Sequence, residues 1–169
     1  MSEKRISLNE FYETKVQDIM QATKAEIPCI DEKADVATVL SILNTKDHVW
    51  VMNSKEPTQV VGVITESDTI VLFSPPVTSL QSFDKPDSRS LQYGEFLTAD
   101  EIMSKKPVTT SPDEKIRDVL MKMKEQKIKQ LPVVDENKRL IGEVSLSRLI
   151  QEYSRQQADF IQKEKTEIT

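Results

Sequence analysis

An internal repeat is the feature that most constrains the fold of this chain. The string Val60–Thr65 (VVGVIT) resembles Leu140–Ser145 (LIGEVS), and Gly142 lies 80 residues after Gly62. Other segments recur in the same order: Asp18–Met20 as Glu101–Met103, Asp31–Leu40 as Ser111–Leu120, and Val51–Asn53 as Val133–Asp135. Because several matches in one order are hard to obtain by chance, we infer two copies of one supersecondary unit.

The second copy shows the order of elements most clearly. Segment 107–110 favours a strand, and Ser111 followed by Pro112 predicts the start of a helix with Ser111 as N-cap. Strands are predicted at 131–134 and 140–144 around a polar turn, and the last helix begins near Leu146. We therefore predict an α/β (α+β) fold of two β-α-β-β-α repeats. Since one such unit buries little surface alone, we expect the two to pack with pseudo-twofold symmetry.

The pattern also predicts the division of the chain. Ser7–Glu10 is a capping box that predicts a helix running toward Met20, and Thr98–Glu101 predicts a second one before Met103. Segment 74–94 is rich in Ser and Pro, so it predicts a loop that is either a lid or partner contact, or a disordered insertion. The predicted divisions are an N-terminal helix (1–15), repeat 1 (16–73), a linker loop (74–96), repeat 2 (97–155) and a C-terminal helical tail (156–169).

Composition excludes several classes of site. The three glycines are too far apart for a phosphate-binding loop, and one histidine with one cysteine cannot supply a zinc site, so we predict neither metal nor resident cofactor. A single cysteine and the absence of a long apolar run indicate a cytoplasmic protein without membrane contact. The net charge of −5 makes a nucleic-acid partner unlikely on electrostatic grounds, and the lysines of 122–129 are interpreted as a solvated helix face.

The repeated strings resemble the cystathionine-β-synthase (CBS) domain, here as a tandem pair or Bateman module over roughly 16–73 and 97–155. The second copy matches more fully, because Trp50 stands where Pro132 stands in the second copy. The resemblance implies a non-catalytic regulatory module that binds AMP, ADP, ATP or S-adenosylmethionine in a cleft between the repeats. It also implies a homodimer. Since the sequence shows no catalytic domain beside the two repeats, we expect the signal to reach a separate, unidentified protein partner. The alternative is a structural or interaction dimer that binds no ligand.

The ligand signature of that family is Gly-h-x-Thr/Ser-x-x-Asp, where h is apolar. Thr65 and Asp68 complete the signature in the first copy, and a carboxylate can accept hydrogen bonds from both ribose hydroxyls. In the second copy Ser145 keeps the hydroxyl but Arg148 replaces the aspartate. Arginine has no acceptor, so the second site is either a dead pocket or one specialised for phosphate. By spacing alone, Thr65-x-x-Asp68 is more typical of a helix cap, and it is the preceding strand with its duplicated glycine that favours ligand binding.

The resemblance places further residues at the two sites. It implies that adenine lies against Ile27, Pro28 and the strand around Val51, with Val108, Thr109 and Val133 at the equivalent places of the second site. Three other groups are interpreted as structural. His48, Trp50 and Met52 alternate as on an inner sheet face, the acids between Asp31 and Asp35 suit a helix start, and the tail beyond Tyr153 suits docking on this protein or a second subunit.

Overall fold

The computed structural model describes residues 7–75, 88–94 and 96–167, which form two compact units. The first-repeat unit lies within residues 27–107, and the second-repeat unit combines the described residues up to 26 with those from 108 onward. These units do not follow the linear repeats. The Glu101–Met103 segment belongs to the first-repeat unit and its counterpart Asp18–Met20 to the second-repeat unit, so each unit is completed by the segment that precedes the other copy.

Short helices and strands alternate along the described residues. The helices are α1 (Leu8–Glu13), α2 (Val16–Ile19), α3 (Val36–Leu43), α4 (Ala99–Ile102), α5 (Ile116–Gln126) and α6 (Leu146–Glu167). The strands are β1 (Cys29–Asp31), β2 (His48–Met52), β3 (Val60–Thr65), β4 (Ser104–Lys105), β5 (Gln130–Val134) and β6 (Leu140–Ser145). Three 3₁₀ helices span Lys24–Glu26, Glu66–Phe73 and Leu91–Tyr93.

The first-repeat unit is built on a four-stranded sheet in the order β1-β2-β3-β4. Strand β1 runs parallel to β2, and the other neighbours are antiparallel. One face of this sheet carries Val49, Val51 and Ile64, which belong to an apolar core shared with α3 and α4. His48, Trp50 and Met52 alternate with those valines and are also buried, which confirms that they lie on an inner face of the sheet.

The second-repeat unit repeats this plan with shorter edges. Strands β5 and β6 form the central antiparallel pair. Thr110 forms a parallel bridge with Val133 at one edge, and Gln21 forms an antiparallel bridge with Glu143 at the other. The predicted strand at 107–110 is therefore reduced to a single bridge. Pro132 pairs with Glu143 next to Gly142, just as Trp50 pairs with Val63 next to Gly62, so the predicted equivalence of Trp50 and Pro132 is confirmed.

The start of α5 differs from the prediction. The helix begins at Ile116, and the Ser111 to Glu114 segment is a turn closed by the Glu114 N–H bond to the Ser111 carbonyl. The physical reason lies far away in sequence. Lys115 forms an antiparallel bridge with Lys15, and the Ile116 N–H donates to the Thr14 carbonyl at 2.8 Å, which keeps the chain extended up to the helix.

The predicted N-terminal helix toward Met20 is also interrupted. Helix α1 ends at Glu13 because Thr14 is extended and joins the bridge to the second repeat, and α2 is a separate turn. The Ser7 hydroxyl accepts from the Asn9 N–H, and no reciprocal bond from Glu10 completes the box among the described residues. The capping box from Thr98 to Glu101 is confirmed.

The helices that follow the two hairpins differ in type and length. After β3 comes the 3₁₀ helix Glu66–Phe73, which stops at Ser74 before Pro75 as the prolines predict. After β6 comes the continuous helix α6, so the predicted boundary between 155 and 156 lies inside one helix. Of the predicted loop 74–96, residues 76–87 and residue 95 lie outside the described residues. Gly94 ends the last 3₁₀ turn with a φ of 67°.

None of the helices in the described ranges combines the length and the apolar character that a membrane span requires. Although α6 has 22 residues, its surface alternates charged and amide side chains with a few apolar ones. The helix therefore presents one partly buried side and one polar side.

Candidate functional site: two strand-to-helix junctions

Both signature glycines are required by close packing within their own unit. A Cβ at Gly62 would lie 2.4 Å from Met103 Sδ and 3.0 Å from the Ser104 carbonyl oxygen. A Cβ at Gly142 would lie 2.9 Å from both Met20 Sδ and the Gln21 carbonyl oxygen. The duplicated glycine thus lets the edge segment after an Ile-Met pair press against the central hairpin.

The first junction carries a complete acceptor site. Thr65 ends β3, and its N–H donates to Asp68 Oδ2 at 2.8 Å. The Thr65 hydroxyl oxygen in turn accepts from the Asp68 N–H, so the two residues form a capping box. The Thr65 hydroxyl also lies 3.1 Å from Asp68 Oδ2. Ser104 Oγ donates to the other carboxylate oxygen at 3.0 Å. The structure therefore brings Thr65 and Asp68 together as predicted, in the cap geometry that their spacing also describes.

The second junction carries a donor in place of the acceptor. Ser145 Oγ accepts from the Arg148 N–H at 3.2 Å, which reproduces the threonine half of the cap. The Arg148 side chain turns back and donates through Nε to the Ile19 carbonyl oxygen at 2.5 Å, at the end of α2. Arg148 is therefore used to hold an edge segment of its own unit. No carboxylate stands at this position to accept a ribose diol.

The adenine contacts that the resemblance implies are only partly assembled at the first junction. Ile27 is buried, and Pro28 is half-buried with its carbonyl accepting from the Trp50 N–H at 2.8 Å. The Val51 side chain is fully buried in the core that faces α3. Thr65 pairs with His48 and lies on the opposite face of the strand from Val51, because neighbours along a strand alternate. The strand around Val51 thus turns the side chains of Trp50 and Met52, and not that of Val51, to the side of Thr65.

The residues that the resemblance implies for the second site are likewise mostly part of the core of their unit. Val133 is fully buried in the second-repeat core, and Val108 packs against that core. Thr109 is half-buried, and its carbonyl oxygen accepts from Lys122 Nζ at 3.0 Å. None of these side chains is placed beside Arg148 by the contacts of the unit.

Sequence reasoning missed the neighbours of the first junction. His48 is the cross-strand partner of Thr65, is 5% exposed, and packs edge-on against Trp50 with ring centroids 5.1 Å apart. Its Nδ1 lies 2.7 Å from Asp47 Oδ1. Ser104 was missed as well. The recurring Ile-Met string that precedes it marked this segment as part of the repeat, and Met103 proves to be the side chain that the glycine accommodates.

The charges near the two junctions differ in how they are balanced. On α6, hydrogen bonds from the Arg155 guanidinium hold the pKa of Glu152 below its usual range, against the opposing effect of burial, and the charge of Arg148 adds to the lowering. Arg148 thus sits in a helix turn that already pairs its acids with arginine. Among the described residues, the donors to the Asp68 carboxylate are all uncharged: the Thr65 N–H and hydroxyl, and the Ser104 hydroxyl.

Metal ligation receives no support from the described ranges, where no three His, Cys, Asp or Glu side chains cluster closely enough to hold an ion. The acids near α3 have other partners. Asp35 is the N-cap of α3 and accepts from the Ala37 N–H at 2.8 Å, and Asp31 accepts from Ser54 Oγ at 2.7 Å. Their interpretation as acids of a helix start holds for Asp35, whereas Asp31 ends β1.

Comparison with known proteins places this geometry in context. The family model for the CBS domain matches residues 16–73 and 99–155. A protein of Methanohalobium evestigatum named homoserine O-acetyltransferase is 34% identical over 122 residues, which are 70% of this chain and 23% of that protein. One of the same name from Methanosphaerula palustris is 28% identical over 150 residues, 85% of this chain and 26% of that protein. The chain thus spans about a quarter of the length of these curated relatives.

Solved structures share the fold. The structure of CBSX2 in complex with AMP covers 83% of this chain and 96% of its own, with 19% identity and a TM-score of 0.65. The CBS domain pair of protein MJ0100, in complex with methylthioadenosine and S-adenosylmethionine, covers 83% and 99% with 22% identity and a TM-score of 0.60. The CBS domain of a bacterial CNNM/CorC family Mg²⁺ transporter in complex with ATP covers 87% and 92%, with 21% identity and a TM-score of 0.65.

Proposed function

The chain belongs to the CBS domain family, and from this premise we propose that it is a non-catalytic regulatory module that binds an adenosine-containing ligand at Thr65 and Asp68. The observation that carries the proposal is the first junction. A threonine and an aspartate meet there at the end of a strand, and in the part of the chain that the structure describes the carboxylate accepts from neutral donors alone. A carboxylate in that position can accept both hydroxyls of a ribose.

The same junction suggests how binding changes the protein. Ser104 donates to Asp68 Oδ1, and Ser104 opens the edge strand β4 that follows α4. Ribose hydroxyls would compete with Ser104 for this oxygen, so ligand binding would loosen the hold of β3 on the edge segment. A ligand that prefers one of two arrangements shifts the population toward it, which is the signal a partner protein would read.

The ligand class is supported by the relatives. Solved structures of the same fold have AMP, ATP, or S-adenosylmethionine with methylthioadenosine in their names. Two relatives are named homoserine O-acetyltransferase. The methionyl part of S-adenosylmethionine has the four-carbon amino-acid skeleton of homoserine. S-adenosylmethionine is therefore the first ligand to test, and an acyltransferase acting on homoserine is the first partner to test.

Homodimerisation is part of the proposal and is supported by exposed apolar residues at equivalent positions. Ile70 lies five residues after Thr65 and is 68% exposed, and Ile150 lies five residues after Ser145 and is 58% exposed. Phe73, one 3₁₀ turn after Ile70, is 64% exposed. Isoleucine at both positions gives each helix an apolar side suited to a second copy. We also propose a cytoplasmic location, where adenosine nucleotides are present and the exposed thiol of Cys29 stays reduced.

Calorimetric titration of AMP, ADP, ATP and S-adenosylmethionine tests the proposal. The wild type is expected to bind at least one of them, and Asp68→Ala is expected to weaken that binding by about 30-fold or more, since charged hydrogen bonds are lost. Glu101→Ala is the matched control, because it breaks the capping box of Thr98 in the same unit without touching Asp68. Equal affinity of wild type and Asp68→Ala would refute the assignment.

A second candidate function, a structural or interaction dimer without ligand, is favoured by one observation. Both oxygens of the Asp68 carboxylate already have donors within the unit, so the cap is complete without a ligand. If none of the four ligands raises the melting temperature or gives heat on titration, while the chain sediments as a dimer, this second function replaces the first.

A further inference from the structure

The second-repeat unit contains a polar cavity far along the sheet from its junction. The cavity measures about 450 Å³ and lies where Thr110 meets the end of β5, whereas Ser145 pairs with the first residue of β5. Its volume is in the lower part of the range of about 300–1,000 Å³ that small-molecule sites occupy. The wall residues that matter below are Thr109, Ser111, Asp113, Glu114, Lys122 and Lys138.

Thr110, Glu114 and Lys122 line this cavity and bind one another, and we call them the triad. Glu114 accepts from the Lys122 ammonium at 2.8 Å and from the Thr110 hydroxyl, and it also takes the Ser111 N–H at 3.3 Å. Lys122 Nζ is held further by the Thr109 carbonyl. Thr110 is 3% exposed, and the Lys122 and Glu114 side chains are 29% and 31% exposed. The triad is therefore fixed in place and partly withdrawn from water.

The equivalent positions of the first-repeat unit are apolar. Val36 and Ile116 each donate their N–H to a carbonyl of the segment before an Ile-Met pair, so the two residues are equivalent. The same offset of 80 residues makes Ile30, Ala34 and Ile42 the counterparts of Thr110, Glu114 and Lys122. Ile30, Ala34 and Ile42 lie in or against the apolar core of their unit. Replacing apolar contacts by a partly buried ion pair seldom improves stability. The charged triad is thus not something that the shared fold requires.

The rest of the cavity wall offers free charges of both signs. Within the described part of the chain, the Lys138 ammonium and the carboxylates of Asp113 and Glu136 make no hydrogen bond or ion pair. Asp135 is paired with Arg139 at 2.9 Å and Glu114 with Lys122 at 2.8 Å. The unpaired charges of the wall are therefore two exposed carboxylates and one exposed ammonium, an excess of acid that disfavours a phosphate ligand and favours one that carries an ammonium group. Val134, 7% exposed, supplies an apolar surface at the end of the strand.

From these features we propose that the cavity between Thr110 and Lys138 is a second binding site, separate from Thr65 and Asp68, that takes a small α-amino acid. The ligand ammonium is bound by the free carboxylates and the ligand carboxylate by Lys138. The hydroxyls of Thr109 and Ser111 are within the wall to complete the hydrogen bonds, and the ligand side chain lies along Val134. The Glu114 and Lys122 pair holds the wall in shape.

Titration of the full chain with L-methionine and L-serine tests this site. The wild type is expected to bind at least one of them, and to bind neither the amine that lacks the carboxylate nor the acid that lacks the amine. Lys138→Gln is expected to weaken binding about tenfold, since it removes one charged hydrogen bond from an exposed turn without disturbing the core. Lys124→Gln, on the exposed side of α5, is the control and is expected to bind as the wild type does.

Lys122→Met is expected to abolish binding, and Lys138→Gln keeps the test valid if Lys122→Met fails to fold. Asp68→Ala is expected to leave amino-acid binding unchanged, which separates this site from the adenosine site. Absence of binding up to about 10 mM for both amino acids would overturn the proposal. The proposal would also be overturned if the amine that lacks the carboxylate bound as tightly as the amino acid, or if Lys138→Gln bound the amino acid with unchanged affinity.

Discussion

The two strand-to-helix junctions share a backbone plan and differ in one charge. In the first-repeat unit Asp68 accepts from Ser104 on the edge segment, and in the second-repeat unit Arg148 donates to the Ile19 carbonyl on the equivalent segment. Each side chain ties its junction to the recurring Ile-Met segment, Asp68 through Ser104 just after the pair and Arg148 through the isoleucine of the pair. Only the aspartate leaves an acceptor that a ribose could use. The same structural task is thus performed by opposite chemistry, and the capacity to bind ligand differs as a result.

A second contrast lies at the other end of each unit. In the first-repeat unit the core at β1 and α3 contains Ile30 and Ile42. The equivalent positions of the second-repeat unit are Thr110 and Lys122. Duplication therefore preserved the main-chain bonds while the side chains diverged at both ends. Each proposed site lies where one unit carries a charged group whose counterpart in the other unit has the opposite charge or is apolar.

The largest effect on stability is expected from adding a methyl group at either signature glycine. Gly62→Ala and Gly142→Ala should each cost about 1–3 kcal/mol by overpacking. Met103→Ala should restore part of the loss at Gly62, because the nearest atom there is a flexible thioether at 2.4 Å. Met20→Ala should restore less at Gly142, because its thioether is no nearer, at 2.9 Å, than the Gln21 carbonyl oxygen, whereas at Gly62 the carbonyl oxygen of Ser104 lies at 3.0 Å, well beyond the thioether. Urea denaturation checks this, and equal rescue at both positions would show that the two units tolerate crowding alike.

Breaking the triad should have the next largest effect. Lys122→Met should lower the free energy of unfolding by about 1–2 kcal/mol, because Glu114 is left without its cation. The loss is smaller than for a fully buried pair, because Glu114 is only half-buried. Replacing the triad by its apolar counterpart, with Thr110→Ile, Glu114→Ala and Lys122→Ile together, should restore the stability. Chemical denaturation measures both, with Lys124→Met as the control on the same helix. A triple variant that is less stable than Lys122→Met would contradict the alignment of the two units.

Removing the Arg148 anchor should have a smaller effect. Arg148→Met loses the Nε bond to Ile19 and should cost about 1 kcal/mol. It should leave adenosine binding unchanged, because Arg148 belongs to the unit without an acceptor. Ser104→Ala should cost a similar amount or less and should tighten adenosine binding slightly, because the competitor for Asp68 is gone. A loss of adenosine affinity in Arg148→Met would instead make the arginine a phosphate ligand.

Acid pH should produce the smallest effect. Burial opposes ionisation of Glu114, but hydrogen bonds from Lys122 and Thr110 outweigh it and hold the pKa of Glu114 below its usual value. A carboxylate with a lowered pKa in the folded state stabilises the protein above its unfolded pKa, which is about 4.3 for glutamate. This stabilisation is lost as the pH falls through the folded value. The difference in melting temperature between wild type and Glu114→Gln should therefore shrink between about pH 5 and pH 3.

The parts of this fold that depend on neighbours in sequence were predictable. The glycine spacing identified the two hairpins, and the strand register confirmed that Trp50 and Pro132 are equivalent. The start of α5 was not predictable, because the bond from Ile116 to the Thr14 carbonyl joins distant segments. For the same reason the pattern could not reveal that the Asp18–Met20 and Glu101–Met103 segments belong to the units of the opposite repeats.

The candidate site was predictable to the same degree. The spacing of Thr65 and Asp68 identified a pair that the structure brings together, since both lie within one turn. The donor from Ser104 and the anchor of Arg148 on Ile19 could not be read from spacing, because each crosses to an edge segment far away in the chain. Val51 could not be placed on a face without the register, which puts it in the core.

The stoichiometry of adenosine binding tests most directly the claim that the two units carry unequal sites. Calorimetric titration with S-adenosylmethionine, followed by AMP and ATP, should give one bound ligand per chain in the wild type and none in Asp68→Ala. Arg148→Met should keep the value of one. Two ligands per chain in the wild type, or one remaining ligand in Asp68→Ala, would contradict the account.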